Sequence, residues 1–305
     1  MKKIVIVLVV CFSSLVNAQQ LPMFSQYLTN DFILNPAIAG SKQHFPIQIN
    51  SRSQWTGLGS NAPKTNTLSY HMPVAYNSLG VGAILCQDQT GPYSQLGVNI
   101  SLAYHIQLNN DNNTRLSFGI SGLLTQHKLN FDELTFNNPE PDFEGGVFSK
   151  LVPDASFGMY LYSKKLALSL SSHQLFESVF KESVSDIFGD NTQVRHYFAH
   201  TSYLIDVYSD LAVVPSVLIK YTEVSPVQFD FNTKVIFDNS YWAGLSLRSS
   251  KSLVLLGGVN MGKMSISYSY DYGIGSLGSA ASGSHEITLG LNINDQRKRR
   301  HSYFW

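Results

Sequence analysis

From about Pro46 to Asn294, apolar and polar residues alternate with a period of two. That spacing sends successive side chains to opposite faces of a sheet. Val98, Ile100, Leu102, Tyr104, Ile106 and Leu108 alternate with Asn99, Ser101, Ala103, His105 and Gln107. Val227, Phe229 and Phe231 alternate in the same way with Gln228, Asp230 and Asn232, and the pattern recurs over 266–272 and 287–293. No stretch carries a sustained helical stripe. The pattern predicts fourteen strands, at 46–55, 65–74, 79–87, 95–108, 114–127, 153–162, 166–172, 195–206, 211–221, 227–237, 241–249, 252–260, 263–272 and 284–294. Most are close to the ~9–11 residues with which a tilted strand crosses a bilayer.

The connections separate by parity. Every second one is tight, at 75–78, 109–113, 163–165, 207–210, 238–240 and 261–262. The others, 56–64, 88–94, 128–152, 173–194, 222–226, 250–251 and 273–283, are mostly longer, with two short exceptions. Short turns at one end and longer loops at the other predict an all-β fold, a transmembrane antiparallel barrel. A soluble sandwich would alternate too, but has no reason to sort its loops by length. With the apolar set facing lipid, Gln48, Asn50, Arg52, His105, Asp230, Lys234, Arg248, Asp271 and Glu286 face the lumen. The rest of that inner face is mostly Ser, Gly, Asn and Thr, which suits a water-filled or plugged interior. Folding the 238–240 turn about Asn239 sets Asp230 opposite Arg248 and predicts an ion pair there.

Composition narrows the function. The chain has 305 residues, 21 basic against 21 acidic, and 14% charged, which gives no electrostatic case for a nucleic-acid partner. No internal apolar run approaches the ~18–20 residues of a membrane helix. Lys2 and Lys3, the apolar stretch 4–16 and Val16-Asn17-Ala18 predict a secretory signal at 1–18, cleaved before Gln19. Cleavage leaves Cys86 as the remaining cysteine, so no internal disulfide is expected. Residues 19–45 lack the alternation and are read as a plug or a periplasmic segment ahead of the barrel at 46–294. The tail 295–305 carries Arg297, Lys298, Arg299 and Arg300 before an aromatic end. It reads as a solvated extension, or as a contact for an acidic periplasmic partner or lipid headgroups.

Motifs for catalysis are missing: there is no G-x-S-x-G, no H-E-x-x-H and no paired-cysteine zinc pattern. Gly273, Gly275 and Gly278 match G-x-G-x-x-G, but a strand follows where a dinucleotide site needs a helix, so they read as a surface loop. His196 and His200 share a strand face yet sit ~13 Å apart, too far to hold one metal. Glu140, Asp142 and Glu144 beside Gly145-Gly146 offer calcium-type ligands, but read more simply as a solvated loop. No cofactor and no enzymatic activity are expected.

Several segments resemble the PorP/SprF family, in the order that family has them. They are Phe24-Ser25-Gln26-Tyr27, Asn35-Pro36-Ala37-Ile38-Ala39-Gly40-Ser41, Gln54-Trp55, Ala62-Pro63-Lys64-Thr65, Gly91-Pro92, Tyr270-Asp271 and Gly283-Ser284-His285-Glu286-Ile287. The likeness runs from about Leu21 to Ile293. It implies an outer-membrane β-barrel of the type IX secretion system of Bacteroidetes. Some members help to assemble the secretion and gliding machinery. Others serve one large secreted adhesin, whose C-terminal domain they export or hold at the cell surface. Relatives end on an aromatic residue of the last strand, whereas here the basic tail follows Asn294.

The expected partners are therefore the C-terminal domain of an adhesin or other cargo, the secretion or gliding machinery, and outer-membrane lipid. In the long outer loops, Phe131, Phe136, Phe143, Phe148, Phe176 and Phe180 are candidate anchors for cargo, with the basic tail as a further contact. The alternative is a passive or fatty-acid-type channel built on the same barrel.

Overall fold

A computed structural model describes residues 21–59, 61–74, 78–109, 113–133, 146–180, 191–274 and 282–293. The chain forms a closed antiparallel barrel of fourteen strands. They are β1 (Phe45–Ser53), β2 (Lys64–Val74), β3 (Leu79–Thr90), β4 (Tyr93–Asn109), β5 (Thr114–Asn130), β6 (Val147–Tyr162) and β7 (Leu166–His173). The second half comprises β8 (His196–Tyr203, resumed at Ile205–Asp206), β9 (Leu211–Thr222), β10 (Ser225–Phe237), β11 (Tyr241–Arg248), β12 (Ser252–Met261), β13 (Met264–Gly273) and β14 (Ser284–Ile293). Each strand pairs with its sequence neighbour, and β1 closes the ring against β14 from Phe45↔Ile293 to Ser53↔His285.

Strand β8 is interrupted because Pro215 on β9 has no N–H to offer the ladder. Pairing stops at Ser202↔Ser216 and resumes in the same register at Ile205↔Val213, while the Leu204 N–H turns to the Lys165 carbonyl at 2.7 Å. The apolar set points outward as expected: Ile49, Leu68, Leu85, Ile100, Leu102, Leu124, Leu255 and Leu289 are all exposed. A lysine at Leu102, near the middle of the apolar band, should cost about 2–4 kcal/mol of stability, against ~0–1 for Leu108→Lys at the rim. Urea titration of folding into lipid vesicles checks this, and equal costs at the two sites would reverse the assignment of faces.

The tight connections occupy one end of the barrel, and both described ends of the strand array, Phe45 and Ile293, lie there. At the other end the chain is long at 54–63, 131–146, 174–195 and 274–283 but short at 91–92, 223–224 and 249–251. The segment 88–94, expected as a loop, is a tight turn instead. Gly91 adopts φ +55, and the polar run Gln87–Thr90 continues β3 beyond the lipid. In the same way β5 and β6 continue into the two ends of the expected 128–152 loop, at 128–130 and 147–152. The wall is consequently uneven. β4, β5 and β6 have 17, 17 and 16 residues, whereas β7 and the main part of β8 have 8 each. About 10–11 residues at ~45° tilt cross the ~25 Å apolar band, so the β4–β6 wall rises above it on the long-loop side.

The lumen is filled. Residues 21–44 thread through it as three short 3-10 turns, Gln26–Leu28, Asp31–Leu34 and Pro36–Ile38. Phe32, Ala37, Ile38 and Ala39 belong to one buried cluster with Tyr160, Tyr162, Val214, Ile236, Trp242, Val254 and Leu256. The inner face is therefore not uniformly small and polar: over β9–β12 it carries large apolar side chains that pack the interior. The hydrophobic core of this barrel is inside it.

Candidate functional site

Among the described residues, the elements that hold the segment 21–44 in place form the best-defined polar site. Near the long-loop end, six ionisable side chains from six strands point inward. Arg52 (β1), Lys220 (β9) and Arg248 (β11) face Asp230 (β10), Asp271 (β13) and Glu286 (β14), three charges of each sign. Arg52, only 2% exposed, bridges Asp271 at 2.7 Å and Glu286 at 2.9 Å. Arg248 bridges Asp271 at 3.0 Å and Asp230 at 3.5 Å, and Lys220 meets Asp230 at 2.8 Å. The Asp230–Arg248 pair expected from the 238–240 turn is thus present, in cross-strand register. Buried charges survive only when paired and hydrogen-bonded, and here the remaining bonds come from the lumenal segment.

Ser25 sits at the centre. Its hydroxyl donates to Asp271 at 2.8 Å and accepts from Arg52 at 2.8 Å and Arg248 at 2.9 Å. Its backbone N–H donates to Glu286 at 2.7 Å, and that of Gln26 to the same carboxylate at 3.2 Å. The Phe24 carbonyl accepts from Arg248 at 3.2 Å. The Tyr27 hydroxyl donates to Asn232 at 3.0 Å and lies 3.3 Å from Asp230. Phe24-Ser25-Gln26-Tyr27 is in effect the tongue of a latch whose socket is the charge cluster.

A second set of contacts holds the segment nearer the tight-turn end. Asn35 caps its own turn by accepting from Ala37 N–H at 2.8 Å, and its amide donates to the Met159 carbonyl at 2.9 Å. Ser117 donates to the Ala37 carbonyl at 2.7 Å, His105 bonds the Ala39 carbonyl at 2.8 Å, and the Gly40 N–H donates to His71 at 3.1 Å. The wall is cut away to admit this stretch. A Cβ on Gly80 would lie 1.9 Å from the Ala39 oxygen, one on Gly119 2.3 Å from the Ala37 nitrogen, and one on Gly158 1.8 Å from Asn35 Oδ1.

The inward residues expected from alternation thus divide. Arg52, Asp230, Arg248, Asp271 and Glu286 converge on the latch, while His105 serves the second set. Lys234 points into the lumen away from both, 4.3 Å above the Trp242 ring. Lys220, Ser25 and Tyr27 belong to the latch and were not expected there. Lys220 lies in Leu211–Thr222, a strand apolar on both faces, so its alternation gives no side. Among the candidate anchors, Phe131 is buried at the end of β5, Phe148 is half-buried and inward on β6, and Phe176 is 64% exposed. The side chain of Phe180, together with Phe136, Phe143, Arg297, Lys298, Arg299 and Arg300, lies outside the described residues, as do the expected leader 1–18 and the acidic stretch 140–144. Gly275 and Gly278 of the glycine-rich motif are likewise outside them. Among the described residues no cluster of three or more His, Cys, Asp or Glu has a metal-holding arrangement.

The latch end of the segment faces the long-loop rim. The Leu21 N–H approaches His196 Nε2 at 3.5 Å, where β8 begins, and Leu21 to Phe24 line a small cavity of about 60 Å³ with Phe198, Lys220 and Thr222. From Leu21 the segment therefore runs from the loop side down the lumen to β1.

Comparison with known proteins places these features. The family profile described as type IX secretion system membrane protein PorP/SprF matches residues 16–291. No curated protein matches the chain. Among solved structures, the Ralstonia pickettii toluene transporter TbuX is similar at 9% identity and a TM-score of 0.50, covering 86% of this chain and 93% of that one. A Pseudomonas aeruginosa FadL homologue aligns at 10% identity and a TM-score of 0.47, over 91% and 96% of the two chains. Acinetobacter baumannii outer membrane protein Omp33 aligns at 8% identity and a TM-score of 0.46, over 83% and 100%. Identities this low speak for the fold alone.

Proposed function

Starting from the premise that the chain belongs to the type IX secretion system membrane protein family PorP/SprF, we propose that it is a docking barrel, which helps to export a secreted protein or holds its terminal domain at the cell surface. Membership makes it an outer-membrane component of type IX secretion. The finer role rests on one observation: the lumen is occupied by a segment locked at both ends, while the wall is raised on one side of the long-loop rim. A packed, latched interior serves a scaffold better than a conduit, and a one-sided rim with long loops gives a partner a place to sit. Loop length by side puts that rim outside the cell. The arrangement supports a binding role without chemistry, since the latch carboxylates Asp230, Asp271 and Glu286 are committed to cations and to the lumenal segment.

The test is co-purification. Mild detergent extraction of outer membranes should release this chain with a secreted protein bound, and deleting the gene should shed that protein into the medium. Planar-bilayer recordings of the purified barrel should show no steady conductance. Recovery of the barrel alone, with surface retention of secreted proteins unchanged by the deletion and ion flow through the wild-type chain, would turn the assignment toward the channel.

A further inference from the structure

Over Val147–Tyr162, β6 pairs with β5 along its whole length, from Asn130↔Val147 to Arg115↔Tyr162. On its other side it pairs with β7 from Phe157 to Tyr162 only. Between these limits, Ala155 accepts the Leu175 N–H at 3.1 Å, Asp154 Oδ1 accepts that of Phe176 at 3.1 Å, and the Pro153 carbonyl accepts the Ser178 hydroxyl at 3.1 Å. From Val147 to Val152 the β7 side of β6 has no strand neighbour among the described residues. Among the described residues this is an open β-edge some six residues long, on the part of the wall that rises above the apolar band. In an antiparallel ladder alternate residues point both N–H and C=O away from their partner, so every second residue of this stretch turns a donor and an acceptor to a side where no described strand pairs with it. Such an edge is a template for another strand.

We propose that the β6 edge at 147–152 is where an extended segment of the secreted protein adds to the barrel as a strand. This inference rests on the docking role proposed above and gives it a place and a partner chemistry. Phe148, Lys150 and Val152 face the mouth side, with Phe148 beside Leu129 of β5, while Val147 (62% exposed) and Leu151 (58%) face outward. Lys150 has no ion pair among the described residues. The added strand therefore carries apolar residues level with Phe148 and Val152 and a carboxylate between them, level with Lys150.

Two other occupants fit less well. The 174–195 connection leaves the wall beside Pro153, but its arms are committed to each other, Val179↔Thr192 and Phe180↔Asn191. A second copy in the same membrane runs its β6 in the same inward direction, so two such edges meet only in the parallel sense, the less stable pairing.

The experiment uses the full-length chain in intact cells that make the secreted protein. Val147, Ser149 and Leu151 are replaced one at a time by the photocrosslinker p-benzoylphenylalanine, with Leu255 on the lipid face as control, and linked sites are mapped by mass spectrometry. The expected result is a cross-link to the secreted protein at all three positions, at least tenfold above the control. Mapped sites on the partner should step back by two residues as the probe steps forward by two. Lys150→Glu should cut the yield at least tenfold while leaving heat-modifiable migration of the barrel unchanged. Cross-links to β6 of a second copy, to residues 181–190 of the same chain, or without the two-residue step overturn the edge assignment. If the secreted protein co-purifies yet never links to β6, the edge is wrong and the docking role stands. If nothing co-purifies, the docking role itself has failed.

Discussion

Arg52→Met should destabilise the folded barrel by about 3–5 kcal/mol, the cost of stranding buried charges when one partner of an ion pair is removed. Among the described residues, Arg52 is the one cation that reaches Asp271, Glu286 and the Ser25 hydroxyl together, at 2.7, 2.9 and 2.8 Å. Without it three carboxylates face Arg248 and Lys220 alone. Glu286 then loses its only guanidinium while still held against the Ser25 and Gln26 N–H groups. Arg52→Lys should recover part of the loss, because an ammonium restores the charge but not the planar fork that serves two carboxylates at once. Glu286→Gln placed on Arg52→Met should also recover part, since it removes the stranded charge, and that non-additivity marks a coupled pair. The readouts are the temperature at which the heat-modifiable band converts to the unfolded one, and proteolysis within residues 21–44. A loss no larger than that of Lys251→Met, in an exposed turn, would mean the cluster carries no weight in holding the segment.

Much of this was legible in the sequence, and the exceptions have physical causes. Period-two alternation located the barrel strands because one face meets hydrocarbon and the other does not, as in β4, where exposed Val98 to Leu108 alternate with inward Ser101, Ala103 and His105. The Asp230–Arg248 register was readable because a tight turn ties two strands by simple counting. Alternation fails where both faces are apolar. Ala212, Val214 and Leu218 of β9 point inward beside outward Val213 and Val217, and no pattern distinguishes a strand lined by lipid from one that also packs a core. It fails again above the membrane, where Gln87–Thr90 and Phe148–Val152 continue as strand without the lipid contrast that would announce it. The lumenal segment gave no periodic signal, since its turns are short 3-10 pieces held by side chains of other elements. What was visible were the motifs themselves. Phe24–Tyr27, Asn35–Gly40, Asp271 and Glu286, scattered over some 260 positions, prove to be the two halves of the latch and the second lock.

Gly119→Val should expel the lumenal segment and turn a closed barrel into a conducting one, whereas Gly122→Val, three residues along the same strand, should do neither. The two substitutions have the same chemistry and the same effect on strand propensity, but they point to opposite faces. A Cβ at Gly119 would stand 2.3 Å from the backbone nitrogen and 2.5 Å from the Cα of Ala37, while one at Gly122 meets nothing within 4 Å. Backbone cannot rotate aside as a long side chain does, so the stretch Asn35–Ala39 must lift from β5. In lifting it gives up the Ser117 bond to the Ala37 carbonyl and the His105 bond to the Ala39 carbonyl. Overpacking a tight contact costs typically ~1–3 kcal/mol, and each orphaned buried acceptor adds about 1–3 more. The fourteen-strand ladder, untouched by either change, keeps the barrel closed, so the cost falls on the segment alone. Single-channel recordings in planar bilayers should register stepwise openings for Gly119→Val and a silent membrane for wild type and Gly122→Val. Heat-modifiable migration should persist in all three, and cysteines placed at Ala37 in a Cys86→Ala background should become reactive only in the Gly119 variant. Silence from a folded Gly119→Val barrel would mean the segment yields without leaving, and that the latch at Ser25 alone keeps the lumen shut.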